Sequence, residues 1–494
     1  MVTMNRTLLG LCSSLVLVLV PAACLPIARV SQPLTLPAPA YRMAPEAVAV
    51  DDLAVPGWAE PHTPARLDRS YVLRLRAGEP PRAILVLVPG LFGGAGSLEI
   101  VGRQLVAATP GLQVWLVDRR SNALEDHRGF AAAARAGDPL LALRYYLGEG
   151  GTPPAYTPPG AAELPFMAYW GLRVHLEDLA GIVDRAHQEA SLVYLGGHSL
   201  GASLVALYAA FRRDDGVIGA DTLSGLVLLD GAPGRTGAFD LPDAVDGRSI
   251  AGLSVVPSVA ALEAGRAVPY LGGPYVPQRI VRSAVIATFA RERPEALAPK
   301  ALADFPISNF ALAGIDVDDT YADLPTFAPS LGEATGAATS GNALPFLLEG
   351  RFGARSRTVT GVAPGADHVG WSAGDPPEAT DLTAYVRTVT GPFTDRAEWY
   401  FPARLLIDLS ALPVDLEGAV DFVPMASVRV PTLAIGAGRG MLRSADAFDA
   451  YANARAGSSF TRTVVPGVTH IDLITARAAP VVTLFQRWAG LDRP

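Results

Sequence analysis

Hydrophobic and polar positions change period several times along the chain. Ser70–Arg76 alternates, as a half-buried strand does. Ala83–Val88 and Leu112–Val117 are apolar throughout, the pattern of strands covered on both faces. Tyr169–Glu189 shifts to helical spacing, with Leu172, Leu176, Leu179, Ile182, Val183 and Ala186 on one face. Ser191–Leu195 reads as a strand and Ala202–Phe211 as a helix apolar on every side. Leu226–Asp230, Val430–Gly436 and Arg462–His470 read as later strands, and Ile471–Ala476 opens a helix. Strands alternating with helices predict an α/β fold with a mostly parallel sheet.

Between the strand at 191–195 and the helix from 202 stands Gly197-His198-Ser199-Leu200-Gly201. It fits G-x-S-x-G in the strand–turn–helix context that lifts a serine hydroxyl above a sheet. Ser199 is the expected nucleophile. The strand 83–88 runs into Pro89-Gly90-Leu91-Phe92-Gly93-Gly94, a turn whose N–H groups can face a site. We expect an oxyanion hole from the Leu91 and Leu200 amides. The competing readings are a tight turn before a helix and a phosphate loop. The latter lacks the lysine of the P-loop pattern.

This succession resembles the α/β-hydrolase superfamily, lipase and esterase type, over residues 70–235 and 427–490. The resemblance implies a central sheet flanked by helices, the order Ser…acid…His, and acyl transfer to water through an acyl-enzyme. It places the base in the loop after the last strand, at His470. The rival, His368, has no strand pattern leading to it. Such enzymes usually carry the acid after the late strand, but Gly436–Arg443 contains no carboxylate. Asp230 ends the strand after the elbow helix, where the resemblance to some lipases implies the acid, and it is the expected acid, with Asp446 and Asp367 as alternatives.

Roughly 190 residues separate Pro233 from Pro424, too many for one loop, and the resemblance implies a cap or lid there. The expected organisation is a signal peptide (1–24), a Pro/Ala-rich tether (25–64), a first core part (65–235), a cap (236–426) and a second core part (427–494). The apolar runs Leu344–Leu348 and Trp399–Ile407 are expected to fill the cap's core and wall the serine.

The leader has Arg6, the apolar run Leu8–Val20, then Pro21-Ala22-Ala23-Cys24. It predicts export, either as a secreted or periplasmic protein or as a lipoprotein anchored to a bacterial membrane through Cys24. Cys12 and Cys24 are the only cysteines, so a mature domain would hold no internal disulfide. A net charge of −8 and a single lysine, Lys300, argue against a nucleic-acid partner. No cofactor or metal is expected. Asp316, Asp318, Asp319 and Asp323 lack the glycine of an EF-hand loop. His175, Glu177 and Asp178 match no zinc motif and are expected on solvated helix surface, and Asp118–Asn122 is expected to be solvated loop. The expected partner is a small-molecule or lipid ester, with a hydrophobic or polyester substrate favoured by the apolar insertion. Two other readings stay open: a non-catalytic binder of an apolar ligand, and an acyltransferase using the same serine.

Overall fold

The computed structural model describes residues 38–233, 248–250, 253–322, 324–341, 357–390, 395–411, 420–455 and 457–491. The leader with Cys12 and Cys24, Asp323 and the run 344–348 lie outside the described residues. Among those described, no helix is long and apolar enough to cross a membrane.

Eight strands form the central sheet: β1 (Ala49–Pro56), β2 (Arg69–Arg76), β3 (Ala83–Val88), β4 (Leu112–Asp118), β5 (Leu192–His198), β6 (Gly225–Leu229), β7 (Thr432–Arg439) and β8 (Phe460–Thr469). Their order is β1-β2-β4-β3-β5-β6-β7-β8. Only β2 runs against the rest, paired antiparallel with β1 and β4. The exchange of β3 and β4 puts β3 beside β5, so Val88 pairs with Gly197 and the Pro89–Gly94 turn emerges next to Ser199.

Helices cover both faces, which is why the middle strands are continuously apolar. Every residue of β3 is buried. Ile84, Val86 and Val88 face α2 (Leu172–His187) and α3 (Leu200–Ala210). Ala83, Leu85 and Leu87 face α1 (Glu99–Ala108) and α4 (Pro480–Ala489). This period-2 division is what a two-sided parallel sheet demands.

The tether expected over 25–64 is corrected by β1, which pairs with β2 over eight residues. Polar positions hide the strand from an apolar pattern. Asp51 holds Arg74 and Arg76 of β2, while Val48 and Val55 bury their side chains. Charges on an edge strand also discourage pairing with other chains.

The chain between β6 and β7 folds into helices, including Tyr275–Glu292, Asn309–Val317 and Ala403–Ala411, and short two-stranded sheets. It does not stand apart from the core between 236 and 426. Phe401, Leu405 and Leu406 belong to the core on the α2–α3 side. Trp399 is fully buried against Phe130, Tyr146 and Tyr156, which belong to the connection after β4. That connection contains helices Arg128–Ala136 and Leu140–Leu147. Before β7, Val423 N–H donates to Ala210 O at the end of α3.

Candidate active site

Ser199 closes β5 and opens α3. Its backbone sits at φ 58°, ψ −125°, and its N–H donates to Leu229 O at 2.8 Å. Phe92, Ser199 and Asp230 are the three non-glycine residues with positive φ among those described. Such strain persists only where the surroundings impose it, and all three lie at the carboxyl ends of β3, β5 and β6. A Cβ on Gly90 would stand 2.8 Å from Ser199 Cβ, so glycine is what lets this turn approach the serine.

The turn's orientation is fixed by a residue expected in solvated loop. Arg119, just after β4, donates to Pro89 O at 2.5 Å and to Gly90 O and Gly93 O at 3.3 Å. Its charge is met by Glu398 at 2.7 Å, and both side chains are buried. Carbonyls drawn toward the guanidinium leave the turn's amides to face elsewhere. Leu91 follows Gly90 directly, and Leu200 opens a helix whose first N–H groups have no intrahelical acceptor.

Asp118–Asn122, expected as solvated loop, is buried throughout. So are His175 and Asp178, expected on an exposed helix face; Glu177 is partly exposed. The two corrections share a cause. Arg120 donates to Asp178 at 2.8 Å and 2.5 Å and packs over Trp170, so each charge supplies the other's partner.

Asp230 ends β6 and is fully buried. Oδ2 accepts from His470 Nδ1 at 2.6 Å and Met441 N–H at 2.8 Å. Oδ1 accepts from Ala437 N–H at 3.0 Å and Leu442 N–H at 2.9 Å. Burial alone would raise this carboxyl's pKa. The His470 bond, its charge and the backbone amides outweigh that and hold it below the usual carboxylate range. The Gly436–Arg443 turn thus contributes N–H donors where a carboxylate was looked for. Gly440 is required there, because a Cβ would collide with Asp230 Oδ2.

His470 follows β8. Its N–H donates to Thr326 O at 3.1 Å, and the Phe327 ring stands edge-on to the imidazole at 5.2 Å. Its carbonyl is bonded to His198 Nε2 at 3.0 Å, and the two rings are 4.2 Å apart. Burial, then the neighbouring His470, push His198 down to about 3, so it is a neutral spacer between β5 and the β8 loop. Asp472 fastens that loop from below, accepting from Thr469 N–H, Ser330 and Thr380. Met441 joins the two ends of the site. Its N–H holds Asp230, and its sulfur lies 3.9 Å from Ser199 Oγ.

The other carboxylates and the second histidine lie elsewhere. Asp446 is exposed in the turn Ala445–Phe448. Asp367 and His368 are exposed in the loop before Gly370–Ser372. The described members of the acidic run each have protein partners. Asp316 pairs with Arg279, Asp318 accepts Thr320, Leu331 and Gly332 amides, and Asp319 meets Arg439.

No protein-family model matches this chain, and no curated protein matches it. Solved structures are similar in fold. A candidate lipase from Sulfolobus solfataricus is 16% identical, with 92% of this chain and 99% of that chain covered and a TM-score of 0.47. A thermophilic esterase from Thermogutta terrifontis is 12% identical, covering 90% and 100%, with a TM-score of 0.36. An alpha/beta hydrolase fold protein from Nakamurella multipartita is 15% identical, covering 90% and 98%, also at 0.36.

Proposed function

We propose that this chain, which has the α/β-hydrolase fold by its own strand order, is a serine hydrolase of carboxylic esters. The observation that carries the reading is the Asp230–His470 bond formed beside a strained serine at the β5–α3 elbow. Asp230 fixes the His470 tautomer, so Nδ1 carries the proton and Nε2 is left to act as base. Ser199 Oγ gives its proton to Nε2 and attacks the ester carbonyl. The Leu91 and Leu200 amides receive the developing oxyanion. Protonated His470 then hands its proton to the leaving alkoxide, and water repeats the sequence on the acyl-serine.

A non-catalytic binder drew its support from the missing acid after the late strand. The turn there serves Asp230 as a donor set, which supports the hydrolase reading over the binder. The partly buried apolar side chains of the glycine turn and the elbow, Leu91, Phe92 and Leu200, suit a hydrophobic acyl group. The chain between β6 and β7 is read as the cap that walls it. Export through residues 1–24, with lipidation at Cys24, belongs to the same proposal.

Hydrolysis of p-nitrophenyl esters of increasing acyl length, beside Ser199→Ala, tests the reading. Activity should rise beyond acetate and fall by about 10⁶ in the variant. Equal rates in both proteins would sink it, and an optimum at acetate would remove the hydrophobic-acyl part. Mass spectrometry of the mature amino terminus tests lipidation: a diacylated Cys24 is expected, and an unmodified start would refute it.

A further inference from the structure

The wedge between the end of β4 and residues 395–399 collects more buried negative charge than its protein partners neutralise. Asp118, Glu125, Asp395 and Glu398 are contributed there, together with Arg119 and His127. Arg119 is spent on Glu398. Among the described residues, no guanidinium pairs with Asp118, Glu125 or Asp395. The adjacent Arg396 turns its guanidinium onto the Tyr385 ring, 3.3 Å from its centre. One oxygen or nitrogen from each of Glu125, His127 and Asp395 lies within 4.8 Å of the other two. Glu125 Oε2 and His127 Nε2 stand 3.0 Å apart. Ligand atoms on a tetrahedral zinc are spaced by about 3.3 Å, so a small contraction brings all three to one centre.

One buried oxygen nearby also lacks a partner. Asp118 is 1% exposed, and its Oδ1 is tied to Ala95 N–H at 2.5 Å and Asn122 Nδ2 at 3.1 Å. Its Oδ2 is buried with no hydrogen-bond partner, in the field of Asp395, Glu398 and His127. An orphaned carboxylate oxygen costs free energy that a cation would recover.

We propose that Glu125, His127 and Asp395 form a structural site for one divalent transition-metal ion of zinc's class, with Asp118 supplying further negative charge beside it. An imidazole among carboxylates favours such an ion over calcium or magnesium. The site's role is mechanical. Gly94 N–H donates to Arg396 O and Gly96 N–H to Asp395 O, so the metal-bound segment buttresses the glycine turn beside Ser199.

The test is metal content and metal-dependent stability, neither of which depends on catalysis. Purified protein is stripped with a chelator, then titrated with Zn²⁺, Mn²⁺ and Ca²⁺ by calorimetry and thermal unfolding. We expect one equivalent of Zn²⁺ bound, a raised Tm, and no effect of Ca²⁺. His127→Gln and Glu125→Gln, checked for folding by near-UV circular dichroism, should each weaken Zn²⁺ binding at least tenfold. Asp395→Asn should do the same, and should it fail to fold, the other two variants decide. Failure of Zn²⁺ and Mn²⁺ to bind or to move Tm would overturn the proposal, showing that protons alone neutralise the cluster. Unchanged Zn²⁺ binding in folded His127→Gln and Glu125→Gln would overturn it equally, placing the ion elsewhere.

Discussion

Replacing Asp230 by asparagine changes one atom and disturbs four hydrogen bonds. The carboxylate accepts two N–H donors on each oxygen: Ala437 and Leu442 on Oδ1, Met441 and His470 on Oδ2. An amide has one accepting oxygen. Whichever way it is placed, its NH₂ group meets two N–H donors. The placement that strands the fewest donors puts the NH₂ beside His470 and Met441: only the Met441 N–H then loses its acceptor, because His470 switches tautomer, with Nδ1 accepting from the amide and Nε2 protonated. That imidazole can no longer take the serine's proton. Turnover should fall by about 10⁴, the scale of losing the orienting acid in a serine triad. Hydrogen bonds to a charged group contribute about 1.5–3 kcal/mol each, so the one bond lost in that arrangement lowers stability by roughly 1.5–3 kcal/mol. The assay is kcat on a chromogenic ester, with Tm measured on the same preparation and Asp446→Asn as the surface control. Asp230→Asn turnover within tenfold of the parent would refute the reasoning.

Three other outcomes are expected. Gly90→Ala should cut kcat at least tenfold with a smaller change in KM, because its methyl would stand 2.8 Å from Ser199 Cβ; steady-state kinetics read it. Arg119→Lys should lower kcat by about 10–100-fold, since an ammonium cannot hold three turn carbonyls and Glu398 together; an unchanged kcat in folded protein would free the turn from Arg119. Acid should destabilise the fold through His175 and His198, both lowered from 6.5 to about 3, chiefly by burial. The unfolded chain takes these protons first, so stability is full above pH 6.5 and is lost as pH falls toward 3. Each histidine removes about 1.4 kcal/mol per pH unit within that window, and urea unfolding at pH 7 and 5 should show a smaller difference in His175→Asn.

The elbow and the last-strand histidine were legible because local pattern specifies them: an apolar strand, a glycine-flanked serine, an apolar helix. Asp230 was legible only as one of three acids, since its preference over Asp446 depends on which amides the Gly436–Arg443 turn presents. Strand β1 was hidden by its charges, because Asp51 is explained only by Arg74 and Arg76 across the ladder. The buried charges after β4 were misread for the same reason. Arg119 finds Glu398 at a separation of 279 residues and Arg120 finds Asp178 at 58. A local reading sees an ion without its partner and assigns it to solvent.

Ser199 and Asp230 follow neighbouring strands, whereas Asp230 and His470 are 240 positions apart. Closing so long a loop costs little in final stability, since each doubling of length adds only about 0.6 kcal/mol. It costs more in time, because contacts distant in sequence form late. The elbow can assemble while its base is still outside the fold. In refolding, burial of Trp115 within β4 should therefore precede recovery of the Asp230–His470 contact, and the chain should pass through compact species in which the Ser199 elbow is formed and the Asp230–His470 bond is not.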